Sequence, residues 1–139
     1  MSHNFLYQFI RQHKLAVLST VSPDDFPESA LVGISVTPDL KIIFDTVSDS
    51  RKYHNLMMNP KISFVIGWDA EQTIQYEGIA KIPGEDELKE LLEIYFRVFP
   101  DGKDRKENWK NLAYFCVEPK WIRYSNFSAT KPQIEEIQF

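Results

Sequence analysis

The sequence has a single cysteine, Cys116, and it lacks any long hydrophobic run. One cysteine cannot form a disulfide within the chain, and no apolar run approaches the roughly 20 residues that a membrane-spanning helix needs. Because the N-terminus also does not resemble a signal peptide, we expect a cytoplasmic protein without a membrane partner. Cys116 lies within the apolar run AYFCV, which predicts a buried strand residue rather than a nucleophile.

Motifs for several kinds of chemistry are also missing. The sequence contains no Ser-His-Asp order, no His/Cys cluster at metal-ligand spacing and no glycine-rich phosphate loop. We therefore expect no metal, and no catalytic residue can be named. The formal net charge of −4 argues against a nucleic-acid partner, because binding to a phosphate backbone favours a basic surface.

Short apolar runs separated by turn-forming residues predict a sequence of mostly antiparallel strands. Helical spacing of the apolar residues predicts helices over 3–13 and 84–99, and Pro60 should end a short helix that begins after Ser50. The tail 127–139 has no assignment, and the segment 99–112 reads as a loop. The predicted strands are 15–21, 29–36, 41–46, 61–68, 72–82 and two closing strands, NLAYFCVEP and KWIRYSNF.

This pattern predicts a mainly β (α+β) protein with one domain over residues 1–139. Antiparallel strands with short turns and one long, late helix favour a small antiparallel split β-barrel of about six strands with a few flanking helices.

Two adjacent cations stand at an unusual place in this pattern. Ser50, Arg51 and Lys52 lie where a strand passes into a helix N-terminus, which carries partial positive charge and unpaired N–H groups. Cations there are explained if an anion binds between them. The alternative is that Arg51 and Lys52 are solvated surface charges.

The segment FDTVSDSRKYHNLMMNPKISFVI resembles the FMN-binding split-barrel family typified by pyridoxamine 5′-phosphate oxidase. The matching elements are T-x-x-x-S-R-K, then Asn55-Leu56 and Asn59-Pro60 before the next strand. The preceding LAVLSTVSPDDFPESALVGISV is similar to that family's first hairpin, and Gly78 and Trp121 fall where the family has its last strands. The resemblance covers roughly residues 10–125.

The resemblance implies that FMN is the cofactor. Side chains of the T-x-x-x-S-R-K element would hold its phosphate, and the second strand would lie against the flavin ring. Thr73 falls near a family position that holds the cofactor, and Trp121 either stacks near the flavin or fills the core. The implied cofactor-binding residues are Ser29, Ala30, Leu31, Val32, Thr46, Ser50, Arg51, Lys52, Thr73 and Trp121.

The sequence also departs from the better known oxidases of that family. Those enzymes place an Arg at the start of the second strand and a Lys near its end, whereas this chain reads SALVGIS without a basic residue. Ring contacts are then expected from backbone amides and from Ser29 or Ser35. The chain ends at Phe139 without an equivalent of the C-terminal Arg and His that hold pyridoxamine phosphate, so oxidation of that substrate is not expected.

These observations predict an FMN-dependent oxidoreductase acting on a small molecule, with a nicotinamide as a candidate electron donor. Two alternatives stay open: a flavin-binding stress or sensor module without efficient turnover, or a related deazaflavin or haem binder. A barrel this small offers little concave surface for a flavin. We therefore expect a homodimer in which residues from around Trp68, the 99–112 loop or Trp121 of a second copy cover the ring.

Overall fold

A computed structural model describes all residues, 1–139. Its four helices are α1 (His3–Ile10), α2 (Arg51–Met58), α3 (Glu85–Val98) and α4 (Gly102–Asn108). Its eight strands are β1 (Leu15–Val21), β2 (Pro27–Gly33), β3 (Ser35–Val36), β4 (Ile42–Val47), β5 (Lys61–Ile66), β6 (Gln72–Lys81), β7 (Leu112–Asn126) and β8 (Gln133–Gln138).

The strands form one curled antiparallel sheet in the order β2-β1-β5-β6-β7-β4-β3, and β8 pairs with β7. This architecture confirms the predicted mainly β, split-barrel fold, with eight strands instead of about six. No helix combines the length and the apolar character that a membrane crossing requires.

The main core lies inside the curl of the sheet and contains 21 buried residues. Phe44 stacks on Phe115 with ring centroids 5.4 Å apart and meets Phe64 edge-on at 6.1 Å. Tyr76 places its hydroxyl in this core, where it donates to the carbonyl oxygen of Leu40 at 2.8 Å. Aromatic packing and this satisfied hydroxyl hold β4, β5, β6 and β7 around a single interior.

A smaller core lies between α3 and the outer side of β4 and β7. Leu91, Leu92 and Tyr95 of α3 pack there against Ile43 and Cys116. Cys116 is fully buried in β7, as predicted, and burial raises the pKa of its thiol to about 11. The thiol is therefore protonated and inert at neutral pH.

Two predictions about the C-terminal third were wrong, and the tail, which had no assignment, contains a strand. The 99–112 segment contains α4, a polar helix anchored through the ion pair of Arg105 with Asp45. The two closing strands form one 15-residue strand, in which Pro119 lies at a register shift, a position where a strand tolerates proline. The unassigned tail contains β8, which pairs with β7 and places Glu136 against Arg123.

One prediction in the N-terminal half also differs. The predicted strand 29–36 is divided at Ile34, so that β2 pairs with β1 and β3 pairs with β4. β2 thereby becomes one end of the strand order. The remaining strands and helices agree with the predictions within a few residues at their ends.

Candidate functional site

The candidate site is built on the start of α2. Ser50 caps this helix, because its hydroxyl accepts a hydrogen bond from the Tyr53 N–H at 3.2 Å. The first turn of α2 contains no acidic residue and instead carries Arg51 and Lys52. The arrangement predicted from the sequence, two cations on a helix N-terminus, is therefore present.

A cleft of about 140 Å³ separates this helix start from the β1–β2 hairpin. It brings two of the predicted phosphate ligands together with two of the predicted ring contacts. The lining residues are Leu18, Thr20, Glu28, Ser29, Ala30, Arg51 and Lys52. Two cations and one carboxylate face the cleft, so its formal charge is positive.

Glu28 is held in the cleft through both of its carboxylate oxygens. Oε2 lies 3.1 Å from Nη1 of Arg51, and Oε1 accepts a hydrogen bond from Nδ2 of Asn55 at 2.8 Å. Asn55 is 3% exposed and also donates to Oγ1 of Thr20 at 2.9 Å. The Asn55 amide thus ties the start of α2 to both strands of the hairpin.

Thr46 and Ser50 lie side by side, with their hydroxyl oxygens 2.8 Å apart. Neither residue lines the cleft, because Ser50 is engaged as the cap and Thr46 is buried at the end of β4. A phosphate at the helix N-terminus would reach these hydroxyls only if the cap hydrogen bond were shared. Their role as phosphate ligands therefore stays a prediction.

Asp45, which precedes Thr46 in β4, is held from the opposite side of the sheet by Arg105. Asp45 accepts hydrogen bonds from Nη2 and Nε of Arg105 at 3.3 and 3.4 Å. Burial raises the pKa of the neighbouring Tyr114 to about 12, and the Asp45 carboxylate adds to this shift. Burial also raises the pKa of Tyr95, with Asp45 again contributing. This cluster fixes the end of β4 from which α2 departs.

The four residues predicted to face the flavin ring lie on β2 but point in alternate directions. Ser29 and Ala30 line the cleft, Leu31 is 60% exposed on the outside of the sheet, and Val32 is buried in the core. Because β2 ends the strand order, half of its backbone N–H and C=O groups face away from β1. Those groups could pair with the edge of a flat heterocycle.

Thr73 and Trp121 lie away from the cleft of their own chain. Trp121 stands on the outer face of β7, where its Nε1 donates to Glu136 at 3.3 Å and Arg123 lies 5.4 Å from its ring centroid. Trp121 pairs with Glu77 of β6, and Thr73 lies four residues before Glu77 on the same strand. Thr73 and Trp121 are therefore separated by about 13 Å along the strand direction. The Thr73 hydroxyl has no hydrogen-bond partner.

The hydrogen-bond donors of the cleft fit a phosphate monoester. The cleft is large enough for the phosphate group of FMN but not for the whole cofactor. Arg supplies a planar fork of donors, Lys supplies a point charge, and the start of α2 supplies free N–H groups. A site for a whole flavin needs several hundred Å³. The cleft is too small for a flavin ring.

Two site residues were not identified from the sequence. Glu28 lies between the predicted strands 15–21 and 29–36, and Thr20 lies within the first of them. Thr20 is 2% exposed and accepts a hydrogen bond from Asn55. The one sequence signal for its role is that it is a polar residue within an apolar strand. No local signal distinguishes Glu28 from the acidic residues beside it in SPDDFPE.

The remaining surface offers other concavities, and Ser35, an expected ring contact, lines one of them rather than the cleft at the start of α2. The largest, about 820 Å³, is an open groove between α3 and α4 with mixed charge. No group of three or more His, Cys, Asp or Glu side chains is arranged to hold a metal ion.

Comparison with known proteins places the chain in a family. The fold and the cleft together define a split-barrel protein with two cations at the start of a helix. Residues 4–126 match the family described as pyridoxamine 5′-phosphate oxidase, and the chain belongs to this family.

Among curated proteins, the chain is 37% identical over 115 residues to a pyridoxine/pyridoxamine 5′-phosphate oxidase of Bacteroides fragilis. The match covers 76% of this chain and 49% of that enzyme, so the chain spans about half the length of this relative.

Two solved structures show the same fold. A haem binding protein from Mycobacterium smegmatis aligns with a TM-score of 0.83 at 14% identity, over 99% of this chain and 58% of that one. General Stress Protein 26 from Bacillus anthracis aligns with a TM-score of 0.70 at 22% identity, over 99% of this chain and 100% of that one.

Proposed function

We propose that this protein binds FMN through the cleft at the start of α2 and acts as a flavin-dependent oxidoreductase on a small molecule. The observation that carries the proposal is the juxtaposition of Arg51 and Lys52 with a phosphate-sized cleft at the N-terminus of α2. The family membership supports the choice of FMN as the phosphate ester.

In this proposal the residues of the chain bind and orient the cofactor, and bound FMN would supply the redox chemistry. Lys52 and Arg51 would attract the phosphate, and the free edge of β2 would hold the ring through backbone groups. Ser29 already bonds to Ser19 at 3.0 Å, so its hydroxyl is oriented beside the cleft. A nicotinamide is the electron donor that we propose to test first.

The substrate that we propose is a small molecule other than pyridoxamine phosphate. The cleft contains only two cations, and one of them is already paired with Glu28. The segment SALVGIS contains no basic residue, whereas the better known oxidases place an Arg and a Lys in the corresponding strand. A second phosphate would therefore find no cation of its own along this strand.

The ring of the proposed cofactor requires a cover that one chain does not supply, so we propose a homodimer. Leu31, Val17 and Val65 are neighbours across β2, β1 and β5 and form an apolar stripe on the outer face beside the cleft. Leu31 and Val65 are 60% and 41% exposed. A second copy packed on this stripe would bury it and close over the ring.

The decisive measurement is FMN binding by wild type and Lys52→Ala, with riboflavin as the ligand that lacks the phosphate. Loss of a charge-assisted contact is worth about 1.5–3 kcal/mol, so Kd for FMN should rise by about one to two orders of magnitude. Riboflavin affinity should not change. Equal FMN affinities in the two proteins would remove the basis for the site.

Oligomeric state provides a separate test. Sedimentation at low micromolar concentration should give a dimer, and Leu31→Arg should give monomers that bind FMN weakly. Ile82→Arg is the matched control, because Ile82 is 55% exposed but lies outside the stripe. A wild-type monomer that retains full FMN affinity would contradict the shared site.

A haem binder is the second candidate function, because the structural match to the haem binding protein from Mycobacterium smegmatis covers nearly the whole chain. A flavin-binding stress module without efficient turnover is the third, in view of the end-to-end match to General Stress Protein 26. An absorption spectrum of the purified protein separates haem from flavin. Bleaching of bound flavin by NADH or NADPH, followed by reoxidation, separates an enzyme from a module that only binds flavin.

A further inference from the structure

The cleft at the start of α2 already contains a negatively charged side chain, that of Glu28. The Glu28 carboxylate lies between the two strands and α2, bonded to Arg51 at 3.1 Å and to Asn55 at 2.8 Å. Its side chain is only 20% exposed. It differs from a surface acid that can move into solvent, because the buried Asn55 amide fixes one of its oxygens.

The carboxylate engages the more exposed of the two cations. The Arg51 side chain is 76% exposed and makes its ion pair with Glu28, whereas Lys52 makes no ion pair. A ligand phosphate that reached Arg51 would either share the guanidinium with the Glu28 carboxylate or displace that carboxylate from it. Either arrangement brings a carboxylate close to a phosphate dianion, and like charges at such distances repel strongly when partly shielded from water.

We propose that Glu28 is a specificity-determining residue that weakens the hold of the cleft on dianionic phosphate. This inference rests on the proposed function and concerns its regulation: FMN would bind as an exchangeable ligand rather than as a permanently retained group. When no ligand is bound, the Glu28 carboxylate forms the ion pair with Arg51 that a phosphate would otherwise form. When a phosphate is bound, the negative charge of Glu28 repels it.

The test is Glu28→Gln, which removes the charge and keeps an oxygen that can accept from Asn55. FMN affinity should rise at least tenfold and FMN dissociation should slow, while riboflavin affinity stays constant. The Kd for inorganic phosphate, measured without FMN, should fall in Glu28→Gln as well, because the same carboxylate opposes it. Glu90→Gln makes the same charge change on an exposed face of α3 and should leave all four measurements unchanged.

Glu28→Asp provides a second variant if Glu28→Gln is unstable. It keeps the charge but withdraws it by one methylene, so FMN affinity should rise less than with Gln. Unchanged or weaker FMN binding in both variants would overturn the inference and would indicate that Glu28 serves only to orient Arg51. The proposed function is judged separately: it fails if Lys52→Ala binds FMN as wild type does, whatever the Glu28 variants show.

Discussion

Gly78→Ala should destabilise the fold strongly, because the added methyl group has no space. A Cβ at this position would lie 2.5 Å from the carbonyl oxygen of Glu118, 2.7 Å from Cγ1 of Val117 and 2.9 Å from Cε1 of Tyr76. The nearest obstacle is backbone of the adjacent strand β7, at the register shift between Glu77 and Gly78. It cannot rotate away, so the two strands must separate.

The expected loss of stability is about 3 kcal/mol, the upper end of the usual range for overpacking. For a chain of this length that corresponds to a melting temperature lower by roughly 10 °C. Thermal unfolding followed by circular dichroism measures the change at one fixed protein concentration. Gly84→Ala is the control, since a Cβ there has no neighbour within 4 Å, and it should cost less than about 1 kcal/mol. Equal melting temperatures for Gly78→Ala and Gly84→Ala would refute the reasoning.

Three further predictions concern other parts of the fold. Glu71→Gly should stabilise the protein by about 1 kcal/mol in thermal unfolding, because Glu71 has φ of 56° in a tight turn that favours glycine. Arg105→Ala should cost about 2 kcal/mol by leaving Asp45 unpaired, whereas Asp101→Ala, at a carboxylate 74% exposed, should cost under about 0.5 kcal/mol. Burial raises the pKa of Cys116 from 9.0 to about 11, so the unfolded chain releases this proton first and stability should fall between pH 9 and 11. Denaturant unfolding across that range should show a smaller fall in Cys116→Ala.

Much of the fold could be predicted because most strands carry their own signal. Apolar runs such as KIIF and KISFVI are bounded by turn residues, and each of them forms a strand within a few residues of its predicted limits. α4 and β8 lack such a signal. Both are polar and are stabilised by partners distant in sequence, Asp45 for α4 and β7 for β8. Local periodicity cannot reveal an element whose stability comes from a remote contact.

The same limit applies to the candidate site. The T-x-x-x-S-R-K element pointed to the helix start, and the structure places Arg51 and Lys52 in a cleft with Ser29 and Ala30. Glu28 could not be predicted, because its contact with Asn55 joins residues 27 positions apart through the pairing of the hairpin with α2. Spacing identifies candidate residues that share one element, such as Arg51 and Lys52, whereas Glu28 comes from another element.

Strand β7 has a consequence for the order in which the protein can fold during synthesis. β4 pairs with β7 along its whole length, and its other partner, β3, has only two residues. Paired residues such as Ile42 and Val117 are far apart in the chain, so β4 must wait for a long loop to close. Until β7 has left the ribosome, β4 lacks its main pairing partner, and Thr46 lacks its pairing with Ala113. The edge of β4 that β7 later covers is therefore exposed to other chains until β7 has been synthesised.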